Sequence, residues 1–156
     1  MPRALAASGY APGMATLLLK TEPVEYSFGD MERDGSARWD GVTNAAALIA
    51  LRGATKGDEV LVYHTGGEKA VVGLARVTRG AYEDPKRPGL NDRGEPKFAV
   101  IDLAPVRRAK TPAGATLEKI KADARFKDFA LVRIGRLSVM AVPPALDRVL
   151  RAMAGL

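Results

Sequence analysis

The 156-residue sequence contains no cysteine and only one histidine, His64. The lack of cysteine excludes disulfide bonds, thiolate nucleophiles and sulfur-ligated metals. It is also typical of a reducing compartment, so we expect a cytoplasmic protein. With a single histidine, a zinc or iron site would have to consist mostly of carboxylates, which are not the ligands that these metals usually have. We therefore predict no metal and no cofactor.

Long hydrophobic runs are also lacking. The longest purely apolar stretch, residues 45–51, is far shorter than the roughly 18 residues that a membrane-spanning helix needs, so no membrane partner is expected. The length suits one domain with a core of its own, and we place that domain at residues 14–156. Residues 1–13 form either a flexible extension or a stretch before a later start at Met14.

Common enzyme motifs are missing as well. Neither G-x-G-x-x-G nor G-x-x-x-x-G-K-[ST] occurs, and the Gly66-Gly67 pair is followed by a strand pattern rather than a helix. None of the four serines lies in G-x-S-x-G. His64 could form an acid–base pair with a carboxylate such as Glu22 or Asp40, but no spacing in the chain requires it. We predict that the protein is not an enzyme.

Positive charge is plentiful. Lysine and arginine number 24 against 18 acidic residues, which gives a net charge of +6, and the excess lies in the carboxy-terminal half. Such a surface attracts polyanions, because each phosphate that is neutralised releases counterions. A solvated basic surface has the same composition. Charge alone therefore leaves a nucleic-acid partner open.

Short apolar and β-branched runs predict five or six strands. They fall at residues 16–20, 59–64, 70–79, 98–106, 131–134 and 137–142, with a hairpin turn at Gly66-Gly67. There is no alternation of strands and helices of the kind that makes a parallel sheet. The pattern predicts an α+β fold on a curled, mostly antiparallel sheet.

Capping signals predict three or four short helices. An S-x-x-D box at residues 27–30 begins the first, and Asn44 begins a second that runs through Arg52 and stops at Gly53. This arrangement puts residues 39–42 in the loop before the second helix. A short helix near residues 117–124 and a final one after Pro143 complete the set.

The string WDGVTN, residues 39–44, holds the only tryptophan. An indole can anchor a core or form one wall of a pocket for a flat ligand, and the string alone leaves both open. Glu22 has a similar ambiguity. It follows the first strand directly, so it belongs either to a surface turn or to the polar floor of a pocket.

Six ordered segments resemble the EVE domain family of the PUA-like superfamily. They are LLLKTEPVEYSF (17–28), RWDGVTN (38–44), GDEVLVYHT (57–65), VVGLARVTRGAYEDP (71–85), KFAVIDLAPVRR (97–108) and RLSVMAVP (136–143). The resemblance implies a PUA-like β-barrel flanked by helices, with a pocket for a nucleobase. It also implies a non-catalytic module, which we expect to be a monomer, that recognises a modified base in DNA or RNA.

The same resemblance implies which side chains surround the base. Stacking would come from Trp39, Tyr82 or Phe98, and hydrogen bonds to the base edge from Thr21, Asn44, His64 or Ser138, with Arg136 on the adjoining phosphate. The full set of binding residues that it implies is Lys20, Thr21, Glu22, Trp39, Asn44, His64, Thr65, Tyr82, Phe98, Arg136 and Ser138.

The sequence departs from the family pattern after Asn44. Many relatives continue W-D-G-V with R-N-Y-Q-A-R-N, whereas this chain has aliphatic residues at 45–49, and Phe98 stands where many relatives have tryptophan. Two alternatives therefore accompany the binding module. One is an enzyme acting on a small nucleoside-like ligand through His64 and Glu22, and the other is an interaction module with a degenerate pocket.

Overall fold

Six strands form one sheet in the computed structural model, which describes residues 15–156. The predicted extension at residues 1–13 lies outside the described residues, so that boundary stays a prediction. The strands are β1 (Thr16–Thr21), β2 (Ala37–Trp39), β3 (Glu59–His64), β4 (Ala70–Glu83), β5 (Ala99–Arg108) and β6 (Val139–Ala141).

The sheet has the order β2-β5-β4-β3-β1-β6. Only β1 and β3 run parallel, with Leu18 opposite Leu61, because the chain between them crosses over through helices. The other four pairs are antiparallel, so the predicted α+β class and mostly antiparallel sheet are confirmed. The sheet is not closed, since β2 and β6 form its two edges and do not pair with each other within the described chain.

Five α-helices accompany the sheet within residues 15–156, one more than the upper expectation. They are α1 (Phe28–Asp34), α2 (Ala45–Arg52), α3 (Leu117–Ala122), α4 (Ala130–Arg133) and α5 (Pro144–Ala154). Two single 3-10 turns lie at Pro112–Gly114 and Ala124–Phe126. In the described part of the chain, no helix is long and apolar enough to cross a membrane.

The predicted helix caps are present. The Ser27 hydroxyl accepts from the Asp30 amide at 3.0 Å, and the Asp30 carboxylate accepts from the Ser27 amide at 2.9 Å, which completes a capping box for α1. The Asn44 side chain accepts from the Ala47 amide at 3.0 Å and begins α2, which ends at Gly53. Both helices start where the sequence indicates.

Two predictions about elements are wrong, and one has the wrong bounds. Residues 131–134, expected as a strand, lie mostly in α4, whereas the strand expected at 137–142 is present but shorter, as β6. Apolar runs this short suit a buried helical turn as well as a strand, and periodicity cannot separate them. Trp39, expected in a loop, ends β2, a three-residue edge strand too short to show alternation.

One cluster of buried side chains forms the core, and it includes residues of the strands and of all five helices. Phe28 of α1 is fully buried, and α2 packs against β5 and β6 through its buried residues Leu48 and Leu51. This packing places the loop before α2 near the residues that precede β6. The two edge strands of the sheet, β2 and β6, therefore lie on either side of one cavity.

Candidate functional site

A cavity of about 840 Å³ lies between the two edges of the sheet. One wall is the segment from Ser36 to Asn44, which contains β2 and the loop after it, and the opposite wall is Arg136 and Ser138, just before β6. The floor comes from the end of β1 and the turn that follows. The lining residues are Lys20, Thr21, Glu22, Glu25, Tyr26, Asp34, Ser36, Ala37, Arg38, Trp39, Asp40, Gly41, Val42, Thr43, Asn44, Arg136 and Ser138.

Trp39 combines the two roles that the sequence left open. Its backbone pairs with Ile101 of β5, and its half-buried side chain packs against the core while it lines the cavity. Gly41, with φ of +79°, then turns the chain toward α2. Within the described residues, the indole N–H has no hydrogen-bond acceptor and no cation lies over the ring. One side of the indole is therefore held by the protein and the other faces the cavity.

The cavity floor is a fixed polar surface. The Thr21 hydroxyl donates to the Tyr26 carbonyl at 2.6 Å, and the Glu22 carboxylate accepts from the Thr65 hydroxyl at 3.0 Å. Lys20 donates from Nζ to the Gly135 carbonyl at 3.0 Å, and partial burial lowers the pKa of its ammonium group. Glu22 thus belongs to the polar floor rather than to a plain surface turn, and Thr65 supports it without lining the cavity.

The lining carries both signs of charge. It has three basic side chains, Lys20, Arg38 and Arg136. It also has four carboxylates, those of Glu22, Glu25, Asp34 and Asp40. The excess positive charge of the chain is therefore not concentrated in the cavity. Within residues 15–156, no three histidine or acidic side chains are grouped so that they could hold a metal ion.

Tyr26 and Asp34 form a further part of the lining that sequence reasoning missed. The Tyr26 hydroxyl donates to the Asp34 carboxylate at 3.0 Å. Burial, together with this hydrogen bond, raises the pKa of Tyr26 to about 12, so the phenol stays neutral at physiological pH. Arg38 was also missed, and Asp40 was considered only as a partner of His64, although the two flank Trp39 directly. Their position beside the only tryptophan was the available signal.

The structure places His64 outside the lining. The side chain is buried, with 8% of its surface exposed, and Nε2 accepts from the Phe28 amide at 3.0 Å. Since Nε2 accepts, the proton is on Nδ1, which lies 2.8 Å from the Glu68 carboxylate. Both ring nitrogens therefore have partners inside the protein.

Tyr82 and Phe98 also lie outside the lining, and each ring has an arginine over it. The Arg79 guanidinium lies 3.6 Å from the Tyr82 centroid, and the Arg87 guanidinium lies 4.3 Å from the Phe98 centroid. Of the three aromatic residues considered for stacking, Trp39 alone lines the cavity. The structure thus brings together Lys20, Thr21, Glu22, Trp39, Asn44, Arg136 and Ser138 around the cavity, and places His64, Thr65, Tyr82 and Phe98 outside its lining.

Comparison with known families and with curated proteins gives matches of both kinds. The model of the EVE domain matches residues 15–153. Thymocyte nuclear protein 1 of Gallus gallus is 27% identical over 113 residues, which are 60% of this chain and 47% of that protein. The chain spans about half the length of the curated relatives that it matches.

Solved structures share the fold over most of the chain. The NMR structure of a Rhodopseudomonas palustris protein is 33% identical, covers 91% of this chain and 94% of its own, and superposes with a TM-score of 0.79. Human THYN1 protein in complex with DNA containing 5-methylcytosine is 24% identical, covers 89% of this chain and 97% of its own, and has a TM-score of 0.76.

Proposed function

This chain belongs to the EVE domain family, and from that premise we propose that it is a non-catalytic module that binds nucleic acid and takes one modified base into the cavity. The observation that carries the proposal is the position of Trp39, whose indole lines a cavity of about 840 Å³. That volume is within the usual range for small-ligand pockets, about 300–1,000 Å³. The complex of human THYN1 with DNA containing 5-methylcytosine supports the same class of partner.

Polar groups around Trp39 suit the edge of a base. The Asn44 side-chain oxygen is used in capping α2, which leaves its NH₂ group as a donor at the cavity wall. Ser138 faces it from the opposite wall, and Glu22 offers a carboxylate acceptor on the floor. A base stacked on the indole would therefore meet donors and an acceptor in the same cavity, and Arg136 would meet the adjoining phosphate.

An enzyme acting through His64 and Glu22 has less support from the geometry. His64 is bound to the Phe28 amide and to Glu68 and does not line the cavity, so it is not free to exchange protons with a ligand there. The two residues are connected only indirectly, through the neighbouring Thr65. The geometry therefore favours a binding module over a catalyst.

The aliphatic residues after Asn44 do not argue for a degenerate pocket. The lining ends at Asn44, and residues 45–49 belong to α2. Ala47 and Leu48 are buried in the core, whereas Ile49 is 68% exposed on the outer side. The departure from the family pattern therefore changes the helix next to the cavity and leaves the lining itself polar.

Fluorescence titration tests the proposal, because Trp39 is the only tryptophan and reports directly on stacking. Paired DNA and RNA oligonucleotides that differ by one modified base are titrated at low salt, and the modified member should quench the emission and bind more tightly. The Trp39→Ala variant has no tryptophan, so its binding is measured by competition or calorimetry. It should lose about 1–3 kcal/mol of affinity for the base. Leu90→Ala, an exposed position in the β4–β5 connection, is the control. Absence of binding to every oligonucleotide would reject the function.

A further inference from the structure

Tyr82 is in the centre of a cluster of side chains on β2, β4 and β5. Its hydroxyl donates to the Asp102 carboxylate at 2.5 Å, while the Arg79 guanidinium lies 3.6 Å from its ring centroid. In the sheet register, Asp102 of β5 pairs with Arg38 on one side and with Arg79 on the other. Three neighbouring strands thus place Asp102 between Arg38 on one side and Arg79 on the other.

Neither arginine makes a close ion pair with this acid, although the charges of Asp102 and Asp40 contribute to the raised pKa of Arg38. No carboxylate oxygen lies within 4.0 Å of either guanidinium in the described part of the chain, and Tyr82 already occupies one oxygen of Asp102. Interaction with the Tyr82 hydroxyl also raises the pKa of Arg38. The cluster therefore presents two guanidinium groups with N–H donors available, Arg79 over the Tyr82 ring and Arg38 beside the Tyr82 hydroxyl.

The cluster is continuous with the cavity. Arg38 lines the cavity wall and is exposed, and Trp39 follows it directly in β2. A strand that places one base against Trp39 would pass its phosphodiester groups over Arg38 and then Arg79. Guanidinium groups match phosphate geometry with paired donors, and ring stacking reduces the side-chain freedom lost on binding.

We propose that Arg38 and Arg79 bind the phosphate groups that flank the base in the cavity, and that Tyr82 is a positioning residue that holds both guanidinium groups. The inference rests on the proposed function, since the ligand is the same nucleic-acid strand. It replaces the role in base stacking that the family resemblance implied for Tyr82. A base on the covered face of that ring would have to displace Arg79.

Arg79→Ala is the first test, with affinities measured for a modified and an unmodified oligonucleotide over a range of salt concentrations. Both affinities should fall by the same factor, so their ratio is unchanged, and the slope of log affinity against log salt should shrink by about 1. Arg148→Ala is the matched control, because Arg148 is exposed on α5 and makes no ion pair within the described residues.

Tyr82 is tested by a double-mutant cycle. Tyr82→Ala should weaken both oligonucleotides equally. Adding Tyr82→Ala to Arg79→Ala should weaken binding by less than Tyr82→Ala does alone, because only the positioning of Arg38 is then left to lose. Tyr82→Phe keeps the ring under Arg79 and should retain most of the affinity. Thermal melting of each variant confirms that it is folded.

Two outcomes separate this inference from the function on which it rests. If Tyr82→Ala selectively weakens the modified oligonucleotide, or if its effect adds fully to that of Arg79→Ala, then Tyr82 contacts the base and the positioning role is rejected. If the wild-type protein binds oligonucleotides and Arg79→Ala matches it at every salt concentration, the phosphate role alone is rejected. If the wild-type protein binds no oligonucleotide, both proposals are rejected.

Discussion

The Nε2 atom of His64 accepts a hydrogen bond from the backbone amide of Phe28 over 3.0 Å. This bond ties the end of β3 to the first residue of α1, at a point where both residues are buried. The amide belongs to the first turn of the helix, where backbone donors have no partner inside the helix. His64 therefore supplies a partner that the secondary structure itself cannot.

We expect His64→Ala to lower the free energy of unfolding by about 1–3 kcal/mol, because it leaves the buried Phe28 amide without an acceptor. Urea denaturation measures the loss. Glu68→Gln, which changes the half-exposed partner of the other ring nitrogen, should cost less. In the folded His64→Ala variant, the ratio of the affinities for modified and unmodified oligonucleotides should equal that of the wild type. A selective loss of the modified ligand would place His64 at the base after all.

Asn44 is expected to have two separable roles, since its oxygen caps α2 and its NH₂ group lies at the cavity wall. Asn44→Ala should lose about 0.5–2 kcal/mol of stability through the missing cap. Asn44→Asp keeps an oxygen for the cap and removes the donor, so it should be stable but bind a base more weakly. Thermal melting and titration of both variants distinguish the two roles. Equal binding by Asn44→Asp and wild type would show that the NH₂ group is not used.

Glu59 makes the stability of the fold sensitive to acid. Burial disfavours its charged form, but hydrogen bonds from Arg76 at 3.0 Å and Arg151 at 2.9 Å outweigh burial and hold its pKa below the usual value. A carboxylate with a depressed pKa stabilises the folded state above the range where it titrates when unfolded, about pH 4.3. That contribution is lost as the pH falls through the lower folded pKa.

Urea denaturation at a series of pH values should therefore show stability falling below about pH 4.3, with a shallower acid limb in Glu59→Gln. At neutral pH this variant should lose about 1–3 kcal/mol, because Arg76 and Arg151 each lose a charged acceptor. Glu118→Gln, at an exposed position on α3, is the control and should follow the wild-type curve. An acid limb in Glu59→Gln as steep as that of the wild type would refute the assignment.

Gly73 of β4 lies against the ring of Phe28, where an added Cβ would be 2.6 Å from two ring carbons. Because that ring is fully buried and cannot move aside freely, Gly73→Ala should destabilise the protein by about 1–3 kcal/mol. Gly67→Ala is the matched control in the turn before β4, since its added Cβ would meet no atom within 4 Å. Chemical denaturation of the two variants should differ clearly, and equal stabilities would contradict the close packing.

Local signals in the sequence predicted much of the fold. The capping residues Ser27 and Asn44 fix the starts of α1 and α2, and valine-rich runs mark β3 and β4, because these features depend only on neighbours in the chain. The strand β2 and the helix α4 escaped prediction for the opposite reason. β2 has three residues and α4 has four, so the state of each is decided by what it packs against.

The candidate site divides in the same way. Residues that face the cavity from the end of β1 and from the loop before α2 were implied by the family pattern, and the structure brings them together. The partners of His64 and Tyr82 lie 36 and 20 residues away in the chain, at Phe28 and Asp102. Such contacts leave no trace in local sequence. Whether a predicted residue is free to bind a ligand was therefore visible only in three dimensions.

The two walls of the cavity belong to opposite ends of one sheet, with Trp39 on β2 and Ser138 beside β6. From β2 to β6, the backbone hydrogen bonds of the sheet run through β5, β4, β3 and β1 in turn. A change in the curvature of any of these strands would therefore alter the distance between the two walls. A ligand that contacts both walls would link the two edges of the sheet and restrain local opening of both edge strands. Slower amide exchange in β2 and β6 together would show that the ligand contacts both walls.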